Sequence, residues 1–181
     1  MPDDIQPAQW FKNFVQIGVM VADVDETVRV LSQVFGLGPF RVLDWPPAGR
    51  EDLKRSYHGV PGDFTCRMAF TMIGNTELEL IQPVAGESAW ADFLKERGGG
   101  LHHIRFNVYD LEPVLSYLQS QGIGISQMGD GIRPGTIWVN LDTEKQLGFG
   151  IEVFKALAGT DGHTPAIEAT AEAQRTQRPK G

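Results

Sequence analysis

Residues 16–31 read QIGVMVADVDETVRVL, and residues 103–118 read HIRFNVYDLEPVLSYL. Offset by 87 positions, they pair Gln16 with His103, Ile17 with Ile104, Val21 with Val108 and Asp23 with Asp110. The same offset pairs Val24 with Leu111, Val28 with Leu115 and Leu31 with Leu118. So many matches in one register mark an internal repeat. Each copy opens with strict alternation, Val15, Ile17, Val19 and Val21 in the first and Ile104, Phe106 and Val108 in the second. That period predicts a strand. An aspartate follows where a helix N-cap belongs, and in the first copy Glu26 stands three residues on, as a capping box needs. Apolar spacings of four and three then predict a helix. Glycines end it, Gly36 and Gly38 or Gly122 and Gly124.

Further strands follow each helix: 39–44, 64–73 and 76–82 in the first copy, and 123–127, 135–141 and 148–154 in the second. Gly74-Asn75 marks a hairpin between two of them. Each copy is therefore strand–helix–three strands, an α+β pattern. A Ser88-capped helix at 88–97, ended by Gly98-Gly99-Gly100, joins them. The predicted organisation is a lead-in at 1–11, a first βαβββ module at 12–84, a linker helix at 85–99, a second βαβββ module at 100–155 and a mobile tail at 156–181. The tail shows no apolar period after Leu157. A long loop from Trp45 through Arg50 to Arg55 is read as a lid.

The chain has 181 residues, 41% of them hydrophobic and 22% charged, an ordinary globular balance. Sixteen basic against twenty-three acidic residues give a net charge of −7 with no basic cluster, which argues against nucleic acid as a partner. No apolar run has the roughly 20 residues of a membrane span, and the acidic start MPDDIQPAQW lacks the basic-then-apolar order expected of a signal peptide. The single cysteine, Cys66, excludes an internal disulfide and a thiolate-built zinc site. These features predict a cytoplasmic protein acting on a small molecule, with a second copy of the chain as the one protein partner considered.

Side chains alternate across a strand. One face of the predicted sheet is aliphatic, carrying Ile17, Val19, Met68, Phe70, Leu78, Leu80, Ile104, Phe106, Ile151 and Val153. The other carries Gln16, Gly18, Arg67, Ala69, Glu77, Glu79, His103, Arg105, Asn107, Gly150 and Glu152. Helices cover the first face; the second, if curved, lines a cavity. Four polar residues occupy matched places. Gln16 and His103 open the first strand of each copy, and Glu79 and Glu152 lie in the last. An imidazole, two carboxylates and an amide oxygen suit a divalent cation, and zinc, cobalt, nickel, manganese and iron all accept such N/O donors.

The stretch TELELIQPVAGESAWADFLKERGGGLHHIRFNVYDLEPVLSYLQSQGI resembles the vicinal oxygen chelate superfamily of glyoxalases, bleomycin resistance proteins and dioxygenases, and within it the methylmalonyl-CoA epimerases. The resemblance covers about residues 12–155 and rests on an E-L-x-x-P strand, a Ser-capped helix, a Phe-Leu pair, a glycine stretch and L-H-H. It implies two βαβββ modules forming a cupped mixed sheet, helices on the outer face and a divalent metal in the cup. It implies Gln16, Glu79, His103 and Glu152 as ligands. Gln16 stands where a histidine is usual, as in the Gln, Glu, His, Glu quartet of animal-type glyoxalase I.

The implied chemistry is enolate formation beside a Lewis acid, with Glu152 as the base. Arg67, Arg105, Asn107 and Trp138 are the candidate substrate contacts. The 64–73 strand lacks the second glutamate of the epimerases, so Asp63 and Glu144 are considered for that role. A metal-dependent isomerase, epimerase or lyase acting on a small carbonyl or acyl-thioester substrate is the leading expectation. A glyoxalase I-type lactoylglutathione lyase, a non-catalytic drug-binding protein and a ring-cleaving dioxygenase are its alternatives. The dioxygenase wants two histidines and a carboxylate around iron, and Gln16 replaces one histidine.

Overall fold

The computed structural model describes residues 7–159; residues 1–6 of the lead-in and 160–181 of the tail lie outside that range. After a short 3-10 turn at Pro7–Gln9, β1 (Phe14–Met20) leads into α1 (Val24–Phe35). Asp23 holds extended backbone, and its carboxylate accepts the Glu26 N–H at 2.9 Å. The Glu26 carboxylate turns along the helix to Arg29 at 2.6 Å rather than back to the cap. Gly36, at φ 68, supplies the left-handed residue that ends the helix.

Then come β2 (Arg41–Trp45), β3 (Arg55–Tyr57), β4 (Val60–Pro61), β5 (Thr65–Ile73) and β6 (Thr76–Ala85). Helix α2 (Ala89–Arg97), capped by Ser88, links them to the second copy. That copy is β7 (Gly100–Val108), α3 (Leu111–Ser120), β8 (Ile125–Asp130), β9 (Ile137–Leu141), α4 (Glu144–Leu147) and β10 (Gly150–Lys155).

All ten strands form one mixed sheet in the order β2-β5-β6-β1-β7-β10-β9-β8-β3-β4. The βαβββ strands of the two copies mirror one another about the antiparallel β1–β7 pair. The sheet is strongly curled. Trp45 on β2 and Trp138 on β9 are six strand spacings apart in that order, roughly 29 Å if the sheet were flat. Their ring centroids are 5.4 Å apart.

Two clusters lie on the outer face. Val24, Phe40, Ala69 and Leu80 pack with Val28 and Leu31 of α1. Val108, Leu111, Val114, Val139, Leu141 and Val153 pack with Leu115 and Leu118 of α3. Helix α2 differs from the expectation of helices on the outer face. Its Trp90 and Phe93 join Met20, Ile81, Trp45, Phe64, Cys66, Met68, Phe70 and Trp138 in a third cluster, built from residues of the concave side.

Two sequence readings are corrected. No strand was read between 39–44 and 64–73, yet the β3–β4 hairpin begins where the loop read as a lid ends, at Arg55, and its β3 pairs with β8 of the other module. Three-residue and two-residue strands are too short to show a period. The phase of β5 is also reversed. Phe70 sits opposite Glu79 and Ala69 opposite Leu80, so Met68 and Phe70 belong to the concave face and Arg67 and Ala69 to the outer one. Alternation could not phase this strand, because residues 68–71 are buried on both faces.

The two repeats are capped unequally. Asp110 occupies the N-cap of α3 but makes no side-chain cap hydrogen bond. In urea unfolding, Asp23→Ala should therefore cost about 1 kcal/mol, the usual worth of a cap, and Asp110→Ala clearly less.

Candidate metal centre

The site follows from two adjacent rungs of the sheet. In the first, Gln127, Asn140, Glu152, Arg105, Gln16 and Glu77 lie side by side across β8, β9, β10, β7, β1 and β6. In the second, Gly150, His103, Gly18 and Glu79 lie side by side. Residues paired across strands point to the same face. The pairing thus delivers Gln16, Glu79, His103 and Glu152 to one concave surface.

Gly18 makes their meeting sterically feasible. A Cβ there would collide with Cε1 of the His103 ring and lie 2.5 Å from its Nε2. The imidazole lies across β1 on this bare backbone and reaches the carboxylate of β6. Its Nε2 stands 3.4 Å from Glu79 Oε2, 3.6 Å from Glu152 Oε2 and 3.5 Å from Gln16 Oε1. All four side chains are buried. Gln16 is held by Glu77, whose Oε1 accepts the amide N–H at 2.7 Å, so the amide oxygen is the end turned toward His103.

Among the described residues, no group of three His, Cys, Asp or Glu side chains stands in ready metal-holding geometry. Measured from the imidazole nitrogen, however, the donor spacings are those of a cation site. Ligands held at 2.0–2.2 Å by a tetrahedral ion are roughly 3.3–3.6 Å from one another. The three oxygens stand about that far from the imidazole nitrogen. Two buried carboxylates, one imidazole and a correctly turned amide oxygen would hold a divalent ion with no thiolate.

The electrostatics favour a positive guest. Burial pushes Glu79 up to about 8, with Arg105 and Arg41 pulling down and Glu77 pushing up. Burial also raises Glu152, against the pull of His103 and Arg105. Burial lowers His103, so the imidazole is neutral, the form that donates a lone pair.

The other expected contacts divide. Arg105 lies in the cup, with Nη2 3.6 Å from Glu77 Oε1, Nε 3.9 Å from Glu152 Oε1 and its guanidinium over the Phe154 ring at 4.8 Å. Asn107 is buried one rung further along the same face, opposite Phe154. Trp138 lines the concave side, stacked on Trp90 at 5.2 Å. Arg67 is not at the site: it pairs with Asp25 and Asp44 on the outer face, at 3.1 and 3.0 Å.

The two candidates for a second base lie elsewhere: Asp63 is exposed, its backbone carbonyl accepting from Arg55, and the Glu144 carboxylate faces Arg97 and His102. On β5 the concave positions are Cys66, Met68 and Phe70 rather than a carboxylate. Sequence reading missed Glu77 as the group that orients Gln16 and Asn140 as the neighbour of Glu152. Glu77 shares its strand phase with Glu79 and Asn140 with Trp138, and that was the available signal.

The family model described as the Glyoxalase/Bleomycin resistance protein/Dioxygenase superfamily matches residues 15–137. The chain belongs to that superfamily. It is 25% identical over 108 residues to the mitochondrial methylmalonyl-CoA epimerase of Homo sapiens, covering 59% of this chain and 52% of that protein. Across the curated relatives it matches, the chain spans about a third to a half of their length.

Among solved structures, methylmalonyl-CoA epimerase from Mycobacterium tuberculosis superposes with a TM-score of 0.54 at 18% identity, over 80% of this chain and 88% of that one. A methylmalonyl-CoA epimerase in complex with methylmalonyl-CoA and NH4+ gives 0.55 at 20%, over 82% and 96%. At such identities the likeness shows the shared fold. No helix among the described residues is long and apolar enough to cross a membrane.

Two outcomes follow from this geometry. Gly18→Ala should displace the His103 ring and weaken zinc binding at least about tenfold in a competition titration, the scale of a misplaced ligand. The second concerns pH. The folded state of the chelated protein keeps a proton on Glu79 up to about 8, whereas the unfolded chain releases it near 4.5. A raised carboxylate stabilises the fold fully below the lower value and ceases to do so as pH rises through the upper one. Urea midpoints of metal-free protein should therefore fall across that window, and zinc should flatten the decline.

Proposed function

We propose that the chain is a metal-dependent isomerase or epimerase that removes a proton next to a carbonyl, on a small acyl-thioester of the methylmalonyl-CoA kind. The observation that carries this reading is the position of the Glu152 carboxylate. It lies beside His103 and Arg105 in a buried cup whose other donors fit a divalent ion. A cation bound there supplies Lewis-acid stabilisation of the charge that grows on a carbonyl oxygen as its neighbouring carbon loses a proton.

The chain's own residues do the rest. Glu152 accepts the proton; burial raises its affinity for one, as a base requires, while His103 and Arg105 temper that rise. Glu77 holds the Gln16 amide so that oxygen rather than N–H faces the centre. Burial of all four candidate ligands keeps competing water from the reacting carbon.

The apolar β5 wall favours one carboxylate base over two. A single base that picks up and returns a proton on the same side gives exchange or isomerisation more readily than inversion. The Gln, Glu, His, Glu quartet also supports a second reading, a lyase or isomerase acting on glutathione hemithioacetals. A substrate panel must therefore include both acyl-CoA thioesters and glutathione hemithioacetals. Removal of the metal by a chelator should abolish solvent deuterium uptake at the substrate α-carbon, and adding back zinc, cobalt, nickel or manganese should restore it with at least one ion. Glu152→Gln should keep the fold and most metal binding, because an amide oxygen still ligates. It should cut exchange by at least about a hundredfold, the usual worth of a positioned base. Exchange that survives in Glu152→Gln would leave this residue a plain ligand, and exchange that survives chelation would remove the metal from the reaction.

A further inference from the structure

His102 has no part in the chemistry above, yet it is as deeply buried as the ligands. Its ring meets Phe93 of α2 edge-on, with centroids 5.0 Å apart. Its Nδ1 stands 2.9 Å from Nδ1 of His103, and its Nε2 stands 3.7 Å from Oε1 of Glu144. Glu144 in turn faces Nη2 of Arg97 at 3.6 Å. An N···N separation of 2.9 Å is a hydrogen bond, so one nitrogen carries the proton and the other offers its lone pair.

The identity of the donor decides what His103 shows to the cup. A neutral imidazole has one N–H and one lone pair. For Nε2 of His103 to ligate a cation, the His103 proton must sit on Nδ1. His102 Nδ1 must then accept it, and the His102 proton must sit on Nε2, where it points at a carboxylate. At 3.7 Å the Glu144 carboxylate makes no hydrogen bond to Nε2, but its charge favours the tautomer with the proton there. The reverse arrangement sets the lone pair of His102 Nε2 against the Glu144 carboxylate.

We infer that His102 is a positioning residue for the metal centre: backed by Glu144, it accepts the Nδ1–H of His103 and fixes the tautomer that turns the Nε2 lone pair toward Gln16, Glu79 and Glu152. This inference rests on the metal reading of the site. It explains a buried histidine that touches none of the three oxygens. It also gives the second imidazole in His102-His103 a task distinct from ligation.

The test uses the full chain, with zinc alone as the probe. His102→Phe fills the space against Phe93 but offers no acceptor. It should weaken zinc binding about 10–100-fold, the range for loss of a hydrogen bond that orients a ligand. His102→Asn places an amide oxygen near the lost Nδ1 and should restore most of the affinity at similar thermal stability. Glu144→Gln should lower affinity by less than His102→Phe does. In the zinc-loaded wild type, nitrogen-15 NMR should show the shared proton on His103 Nδ1, with coupling across the N–H···N bond to His102. A His102→Phe protein that binds zinc as tightly as wild type overturns the inference, as does a shared proton found on His102. If His102→Phe fails to fold, the wild-type spectrum and His102→Asn decide the matter. A wild type that takes up no zinc or other divalent ion overturns the metal reading itself, and this inference with it.

Discussion

The antiparallel contact between β1 and β7 governs the rest of the molecule. It joins the two modules across their mirror relation and sets Gly18 directly beneath His103. A side chain at that one position would stop the imidazole from crossing the strand. The centre therefore depends on a missing methyl group as much as on the donors. The pairing also lays Arg105 beside Gln16, so the cation of the second module faces the Gln16–Glu77 pair of the first. Ionisable and amide side chains from both halves thereby share one buried surface.

Burying two carboxylates is costly unless something offsets their charge. Arg105 and Arg41 supply part of that offset, standing 3.6 and 4.0 Å from Glu77. Both also pull on Glu79, yet burial outweighs them and leaves it raised to about 8. This leaves the cup polarised rather than neutralised. Glu77 accepts hydrogen bonds and ion contacts from three directions and shows no carboxylate to spare. Glu79 and Glu152 keep oxygens turned toward His103. The division of labour among three acids of one face explains how the surface can both be rigid and retain donors for a guest.

Much of this could be read from the residues alone. The 87-residue offset gave the mirrored modules, because repeated strand and helix periods survive even where identities do not. The matched positions of Gln16, His103, Glu79 and Glu152 brought them together as expected, since strand phase alone decides which face each one occupies. Arg67 was misplaced because β5 is apolar on both sides and alternation carries no phase there. The β3–β4 hairpin was missed because strands of two and three residues take their shape from the edge they join, not from local preference. Glu77 and His102 were visible as residues but not as partners. Their roles depend on which atom of a neighbouring side chain faces inward, and no linear pattern records that.

The placement of that hairpin has a mechanical consequence. It is contributed by the first half of the chain, yet it extends the far edge of the second half, and Tyr57 at its end donates a hydrogen bond to Asp92 of α2. The two halves are thus stitched at both the centre and the rim of the sheet. A pair of lobes joined only at the middle can swing apart like the covers of a book. These cannot do so without tearing strand pairs. Opening the cup by parting the halves would break the β1–β7 or the β3–β8 pairing, so the sheet bends and breathes as one body rather than as two.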